Sequence, residues 1–443
     1  MIDRLPALFA WAAALFVGIV LAPVGPVFAQ QATFTSFRGT NGASVVDAKT
    51  PSTIAAKDFI WKTDLPGRGW SSPVYDNGKI WLTAAEEKAA SEAEIAKKLE
   101  GVQFPTVKTA VKSVELFALC VDLKTGELLK RIELASNPDP QPINPMNSFA
   151  SPTCAISGSN VICHFGADGT WCLDTETGAK KWHRKIVIDH SVGSGSSPVI
   201  SDGKVILVYD GVDQQFVTAV SLEDGTDVWK TDRPPFENDN GEFQKAYSTP
   251  LIIDVDGTLQ AVVPGAQWVC AYDVKTGEEI WRASYGFGFS VTPMAVWAEG
   301  LITFSTSFPK AEFIAIKPGK GDLTDKILWR QRNAPSMSSF IVDAGKIYAA
   351  ADRPGRLVCV DLKTGKVENQ VRLLPNVSAS ILKSGENLYL GNRDGKMKIV
   401  RCTPEMKEVG SFDFASPILA TPTVVDNDLL VRTRESIIRI GKR

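Results

Sequence analysis

Blocks of alternating or continuous apolar residues, each too short for a helix, recur along the chain and are separated by turns containing Gly. The clearest unit runs from Ala271 to Trp281: an apolar stretch ending at Asp273, a Lys-Thr-Gly turn closing at Gly277, and a return strand carrying Trp281. Related units run from Cys172 through Gly178 to Trp182 and from Ala219 through Gly225 to Trp229, with shorter copies at Asp122 to Gly126 and Asp361 to Gly365. Each reads as a β-hairpin in which Asp ends one strand, Gly takes the positive φ of the turn, and the Trp packs against small residues of a neighbouring unit.

A second marker lies upstream of each unit, a Ser/Thr-Pro pair or its remnant that opens an apolar strand. Eight such openings occur, at Ser72, Ser151, Ser197, Thr249, Thr292, Ser338, Ser378 and Thr421. Apart from the first interval they lie 40 to 52 residues apart, and each interval holds four strand signals, the length of a propeller blade. The pattern predicts an all-β, eight-bladed β-propeller. The last unit has only three strands before the chain ends, and the Trp61-containing strand of residues 58–65 supplies the fourth, closing the ring.

The first interval is long because residues 84–111 form an insertion. Within it residues 86–100 alternate in charge and favour a helix, which belongs on the same face as the variable loops, as a lid, a docking arm or a solvated decoration. Residues 1–29 differ again: Arg4, an apolar run from Leu8 to Ala22, and Val27-Phe28-Ala29 read as an export signal cleaved after Ala29, with an uncleaved anchor as the alternative. The expected domain structure is therefore 1–29 signal and 30–443 one propeller. The mature chain is placed in the periplasm or another extracytoplasmic space, as a monomer without a membrane span.

With 48 basic and 50 acidic residues spread along the chain, there is no basic footprint for nucleic acid. Of the seven cysteines, Cys120, Cys172, Cys270 and Cys359 sit in or beside the repeated strand, where small buried residues belong. Cys154 and Cys163 flank a tight hairpin that sets them opposite each other, a candidate disulfide.

The repeats, together with Phe37-Arg38-Gly39, the stretches 147–153 and 164–169, and Asp189 to Pro198, resemble the PQQ-binding-like β-propeller repeat family over residues 34–440. That resemblance implies an exported propeller related both to quinoprotein dehydrogenases and to BamB-type assembly factors. The dehydrogenase class implies bound PQQ and calcium with an Asp base. This sequence has no adjacent Cys pair and no Cys-x-x-Cys-His, and no Glu-Asn-Asp calcium set stands out.

The favoured expectation is a non-catalytic propeller that binds an envelope protein, a surface polymer or a small ligand. In a propeller the loops between second and third strands and those between blades share one face. Here they carry His164, Asp168, Asp189, His190, Asp210, Asp213, Arg233, Gln267, Asp352, Arg353, Asn392, Arg393, Asp394, Arg432 and Arg434. This face, at the mouth of the central channel, is the expected ligand-binding site. For any one of these residues a plain turn, or a histidine held by backbone, is the competing explanation, and His183 is expected at the surface.

Overall fold

In a computed structural model, which describes Met1, residues 34–352 and residues 354–442, eight antiparallel sheets form the blades of a propeller. The expected signal segment lies outside the described residues. Among the described residues no helix is long and apolar enough to cross a membrane. Blade 1 comprises Val74–Asp76, Lys79–Ala89, Val111–Asp122 and Leu128–Asn137. Blades 2 to 7 follow over residues 155–184, 199–232, 251–284, 296–332, 341–372 and 382–413. Blade 8 is built from Thr423–Val425, Asp428–Arg432 and Ser436–Ile440, with Phe59–Asp64 as its outermost strand, antiparallel to Ser436–Ile440. The closing strand is thus supplied from the N-terminal side, as its Trp suggests.

The repeated turn does two jobs. In Asp122, Asp174 and Asp361 one carboxylate oxygen accepts both the backbone N–H and the hydroxyl of the Thr three residues on, fixing the bend. The following Gly126, Gly225, Gly277 and Gly365 have φ between 70° and 78°. A Cβ on any of them would stand 2.5–2.8 Å from the indole of Trp61, Trp182, Trp229 or Trp329 respectively, each on the preceding blade. The indole N–H then donates to a carbonyl of that same next blade: Leu123, Leu222, Val274 and Leu362 at 3.0–3.1 Å. Trp61 on Gly126 joins blade 8 to blade 1, so the closing strand also fastens the seam. Blade 4 departs from the pattern, since Trp281 donates to Gln260 of its own sheet.

At the channel the register of the blade openings becomes clear. The N–H of Thr421 donates to Ser72 Oγ, Ser72 to Thr153, Thr153 to Ser197 and Ser197 to Thr249, at 2.9–3.1 Å. Met294 donates to Ser339 and Ser339 to Ser380, both at 2.9 Å. Each bond crosses from one blade to the next. Every donor lies two residues before its first strand, so the openings of blades 2, 5, 6 and 7 are Thr153, Met294, Ser339 and Ser380. The Ser-Pro and Thr-Pro pairs at Ser151 and Thr292, and the remnants at Ser338 and Ser378, lie one or two residues before these openings; Thr153, Ser339 and Ser380 present a hydroxyl to the neighbouring amide, and Met294 does not.

A segment without a repeat signal crosses the channel below this ring. Phe34 and Thr35 carbonyls accept from Tyr75 of blade 1 and Ile156 of blade 2. Arg38 donates to Phe340 O beside blade 6, Gly42 lies against Met294 of blade 5, and Val45–Val46 adds in parallel to the first strand of blade 7. Phe37 thereby becomes the floor of a cavity open on the opposite face.

The insertion also differs from expectation. Residues 86–89 extend the second strand instead, Glu86 pairing with Glu115 and Ala89 with Val111. The helix is confined to Glu92–Lys98, capped by a reciprocal Ser91–Glu94 box. Helix propensity is a weak prior, and here a long hairpin satisfies the backbone that the local sequence would have coiled.

Gly277→Ala is expected to lower stability by about 3 kcal/mol, combining positive-φ strain with displacement of the Trp229 indole. Gly203→Ala, with φ 70° but open space around it, should lose only about 1 kcal/mol. Urea denaturation of the two variants checks this; equal losses would mean the indole contact contributes nothing.

Candidate functional site

The cavity above Phe37 has a volume of about 570 Å³, within the range that takes a small molecule. Its walls come from the connections between blades, one after another around the ring, and from the insertion. At depth lie the ring hydroxyls Ser72, Thr153, Ser197, Thr249, Ser339, Ser380 and Thr421. Six of the ring's hydroxyl oxygens accept an amide from the neighbouring blade, leaving their own O–H without an acceptor among the described residues. Ser378, also on the wall, buries its hydroxyl with no hydrogen-bond partner among the described residues. The floor of the site is therefore rich in unspent donors.

The rim is aromatic. Phe104 of the insertion, Phe243 between blades 3 and 4, Phe287 and Phe289 between blades 4 and 5, and Phe308 of blade 5 make edge, tilted and stacked contacts at centroid distances of 5.0–6.2 Å. Phe104, Phe287 and Phe308 remain 46–51% exposed. Half-exposed phenylalanines gathered beside a cavity mark a surface built to be covered.

Below them one charged cluster lies in the wall. Glu242 Oε1 receives Lys108 Nζ at 2.8 Å, and Oε2 receives Lys245 Nζ. Ser191 Oγ donates to the carboxylate and accepts from Lys245 at 3.1 Å. All three charged side chains are at least nine-tenths buried and line the cavity. Burial alone would raise Glu242, but Lys108, Lys245 and Ser191 outweigh it and hold the carboxyl below its ordinary range. Burial pulls Lys245 below its usual value, with Glu242 opposing. Lys108 belongs to the insertion, which is further pinned by the Thr109–Ile143 bridge and by Asn144 Nδ2 on Val107 O. The insertion is therefore part of the cavity wall.

The polar loop residues expected at the channel mouth share this face but do not line this cavity. Asp210 and Arg233 form a buried bidentate pair, 2.9 and 2.7 Å, and Arg233 also reaches Val263 O and Tyr272 OH of blade 4. Arg432 donates to Ser71 and Thr83 O, tying blade 8 to blade 1. Gln267 accepts from Glu237 N, Asp352 from Ser336 Oγ, and Arg434 is exposed. Asn392 and Asp394 bond each other around their turn, and Asp213 accepts the N–H of Asp189. Arg353 lies outside the described residues. Arg393 touches a residue of the cavity's lining: its guanidinium, held by Asn376, rests on the sulfur of Met146.

Asp168 and His190 line a second cavity of about 250 Å³ between blades 1 and 2, bordered by the connection that leads on to blade 3. Cys154 and Cys163 face each other across their hairpin as buried thiols, sulfur to sulfur 3.6 Å. His183 is exposed and stacks on Trp171 at 4.4 Å. Phe243, Lys245 and Glu242 were not singled out by sequence, and the ring hydroxyls Ser72, Ser197, Thr249 and Thr421 were read only as blade openings; the signal available was the departure of residues 240–247 from any repeat.

His164 bonds Thr170 Oγ1 at 2.8 Å, and His190 Nε2 accepts the N–H of Ala167 at 3.0 Å. Burial lowers them to about 3 and about 4 respectively, so both imidazoles are neutral in the fold. The unfolded chain protonates them near pH 6.5. Their stabilisation is thus complete above that pH and is lost as pH falls from about 6.5 towards 4. Thermal melts over this window should show Tm declining by roughly 2–4 °C per pH unit, and His190→Gln should remove about half the slope. An unchanged slope would refute the assignment.

The family model described as outer membrane protein assembly factor BamB matches residues 118–371. No curated protein matches the chain. Solved structures share the fold at low identity. BamB from Moraxella catarrhalis is 12% identical, covering 86% of this chain and 99% of that one, with a TM-score of 0.59. Quinohemoprotein alcohol dehydrogenase from Comamonas testosteroni is 13% identical over 93% of this chain and 81% of that one, with a TM-score of 0.65. A europium-containing methanol dehydrogenase is 11% identical over 92% and 91%, with a TM-score of 0.68. With eight blades, shared turn chemistry and a family match over more than half its length, the chain belongs to the PQQ-like β-propeller family that the BamB model describes.

Proposed function

We propose that this protein is a non-catalytic binding propeller of the cell envelope, taking a ligand or a partner's segment at the blind cavity on its loop face. The observation that supports this most is the cavity itself: a closed floor, a ring of unspent hydroxyl donors and an aromatic rim, drawn from every part of the ring. Binding sites of this form are concave, largely apolar and equipped with a few convergent polar groups. The export signal read from residues 1–29 and the family's assembly-factor description support an envelope location.

The alternative is a quinoprotein dehydrogenase, in which calcium beside the quinone needs several oxygen ligands, carboxylates among them. The donor set of this cavity does not fit that ion. Among the described residues Glu242 is the one carboxylate on the wall, and two ammonium groups already hold both its oxygens. A divalent cation placed there would face Lys108 and Lys245 across hydrogen-bonding distance, which the charges forbid.

Purified full chain incubated with PQQ and Ca²⁺ is therefore expected to show no dye-linked oxidation of alcohols or sugars; such turnover would restore the dehydrogenase reading. A photo-crosslinking side chain at Phe308 should capture one consistent species in the envelope, and the same group at Asn77, on the opposite face, should not. Equal capture at both positions would refute the use of the loop face.

A further inference from the structure

The binding reading leaves open what the cavity takes, and its wall charge narrows the answer. Lys108 and Lys245 share one carboxylate, so the cluster carries an excess positive charge in a place nearly closed to water. Asp189 stands near Lys245 but is exposed and directs its carboxylate to Ser191 N at 2.7 Å, not to an ammonium. Lys108 makes one hydrogen bond, to Glu242, and Lys245 makes two, to Glu242 and Ser191, so three of their six N–H donors have no acceptor among the described residues. A buried ammonium with unspent donors is a costly arrangement unless an acceptor completes it. Deeper in the cavity, the ring hydroxyls hold an amide on one lone pair and offer O–H on the other side. Arg393, which forms no ion pair among the described residues, adds a third cation at the rim. The lysines and the ring hydroxyls thus all keep an N–H or O–H to donate.

The apolar half of the site is equally definite. Phe243 sits at the centre of the aromatic rim, contacting Phe104, Phe287 and Phe289. Phe243 and Lys245 alternate along one short stretch, so a single bound molecule meets both. We infer that the cavity binds a small amphipathic monoanion, a carboxylate, sulfonate or phosphomonoester on an aromatic or otherwise apolar body. The body lies against Phe243 and its neighbours, and the anion against Lys245 and Lys108. The insertion contributes directly, since Lys108 and Phe104 both belong to it.

This assignment rests on the cavity being a binding site, and two probes separate the two statements. 8-Anilinonaphthalene-1-sulfonate and N-phenyl-1-naphthylamine share an aromatic body, and only the first carries an anion. Fluorescence titration of the folded full chain should give one saturable site per chain for the sulfonate, roughly 10-fold tighter than for the neutral amine. Lys245→Met should remove roughly that 10-fold for the sulfonate and leave the amine unchanged, while Phe243→Ala should weaken both. Lys245→Met leaves Glu242 paired with Lys108, so the wall keeps a neutral ion pair. Lys108→Met, which keeps the Lys245 pair, repeats the test if the first variant does not fold. Equal affinity for the two probes, or sulfonate binding indifferent to both lysine variants, overturns the anion assignment and leaves an apolar binding cavity. Absence of saturable binding for either probe overturns the small-ligand cavity as well.

Discussion

A ring of sheets holds together only if each blade is fastened to the next, and here four of the eight junctions are closed by an indole lying on a glycine. The contact requires three things of the sequence at once. The turn must bend through a positive φ, it must present no Cβ to the approaching ring, and the partner strand must carry a Trp whose N–H finds a carbonyl in the neighbouring blade. The connections on the other face carry no such repeated contact and fasten blades one by one, through Arg233, Arg432 and the ring hydroxyls. The loops there vary in length and chemistry, and one of them grows into the long hairpin of residues 79–122.

The parts of the molecule that could be read from sequence are those where cause and effect lie close together along the chain. Asp122 and Thr125, or Gly277 and Trp281, are neighbours in sequence, so the blade and its turn are visible in a dozen residues. The closing strand was legible for the same reason, since Trp61 carries the pattern of its siblings. The cavity was not. Lys108 and Glu242 are separated by 134 residues, and the ring hydroxyls come from seven different blades. No local pattern announces that they will meet. The polar loop residues drew attention because of their chemistry, but Asp210, Arg233 and Arg432 spend that chemistry on joining blades. A buried charge on a propeller is as readily a fastener as a site.

The same hydroxyls serve the fold and the cavity together. By accepting an amide from the preceding blade, Ser197 or Ser339 fixes the opening of a strand and simultaneously turns its O–H into the channel. Stability and recognition are thereby coupled at the level of single atoms. Where the ring is interrupted, at Met294, the side chain instead packs on Gly42 of the segment crossing the floor, so the break in the hydroxyl series coincides with the place where the channel is sealed.

The position of the closing strand has a consequence for how the molecule comes into being. Phe59 pairs with Ile440, and the floor segment just before it touches blades 1, 2, 5, 6 and 7. Almost the whole chain must therefore be available before either of these early segments can settle. Until then, Phe59, Ile60 and Trp61 form an apolar strand with open edges, the kind of surface that pairs with the wrong neighbour. Local hairpins can assemble one by one, but the ring becomes a ring in a single late event of very long loop closure. The two ends of the sequence are in this sense one structural element, and damage to either should be felt as failure to complete the molecule.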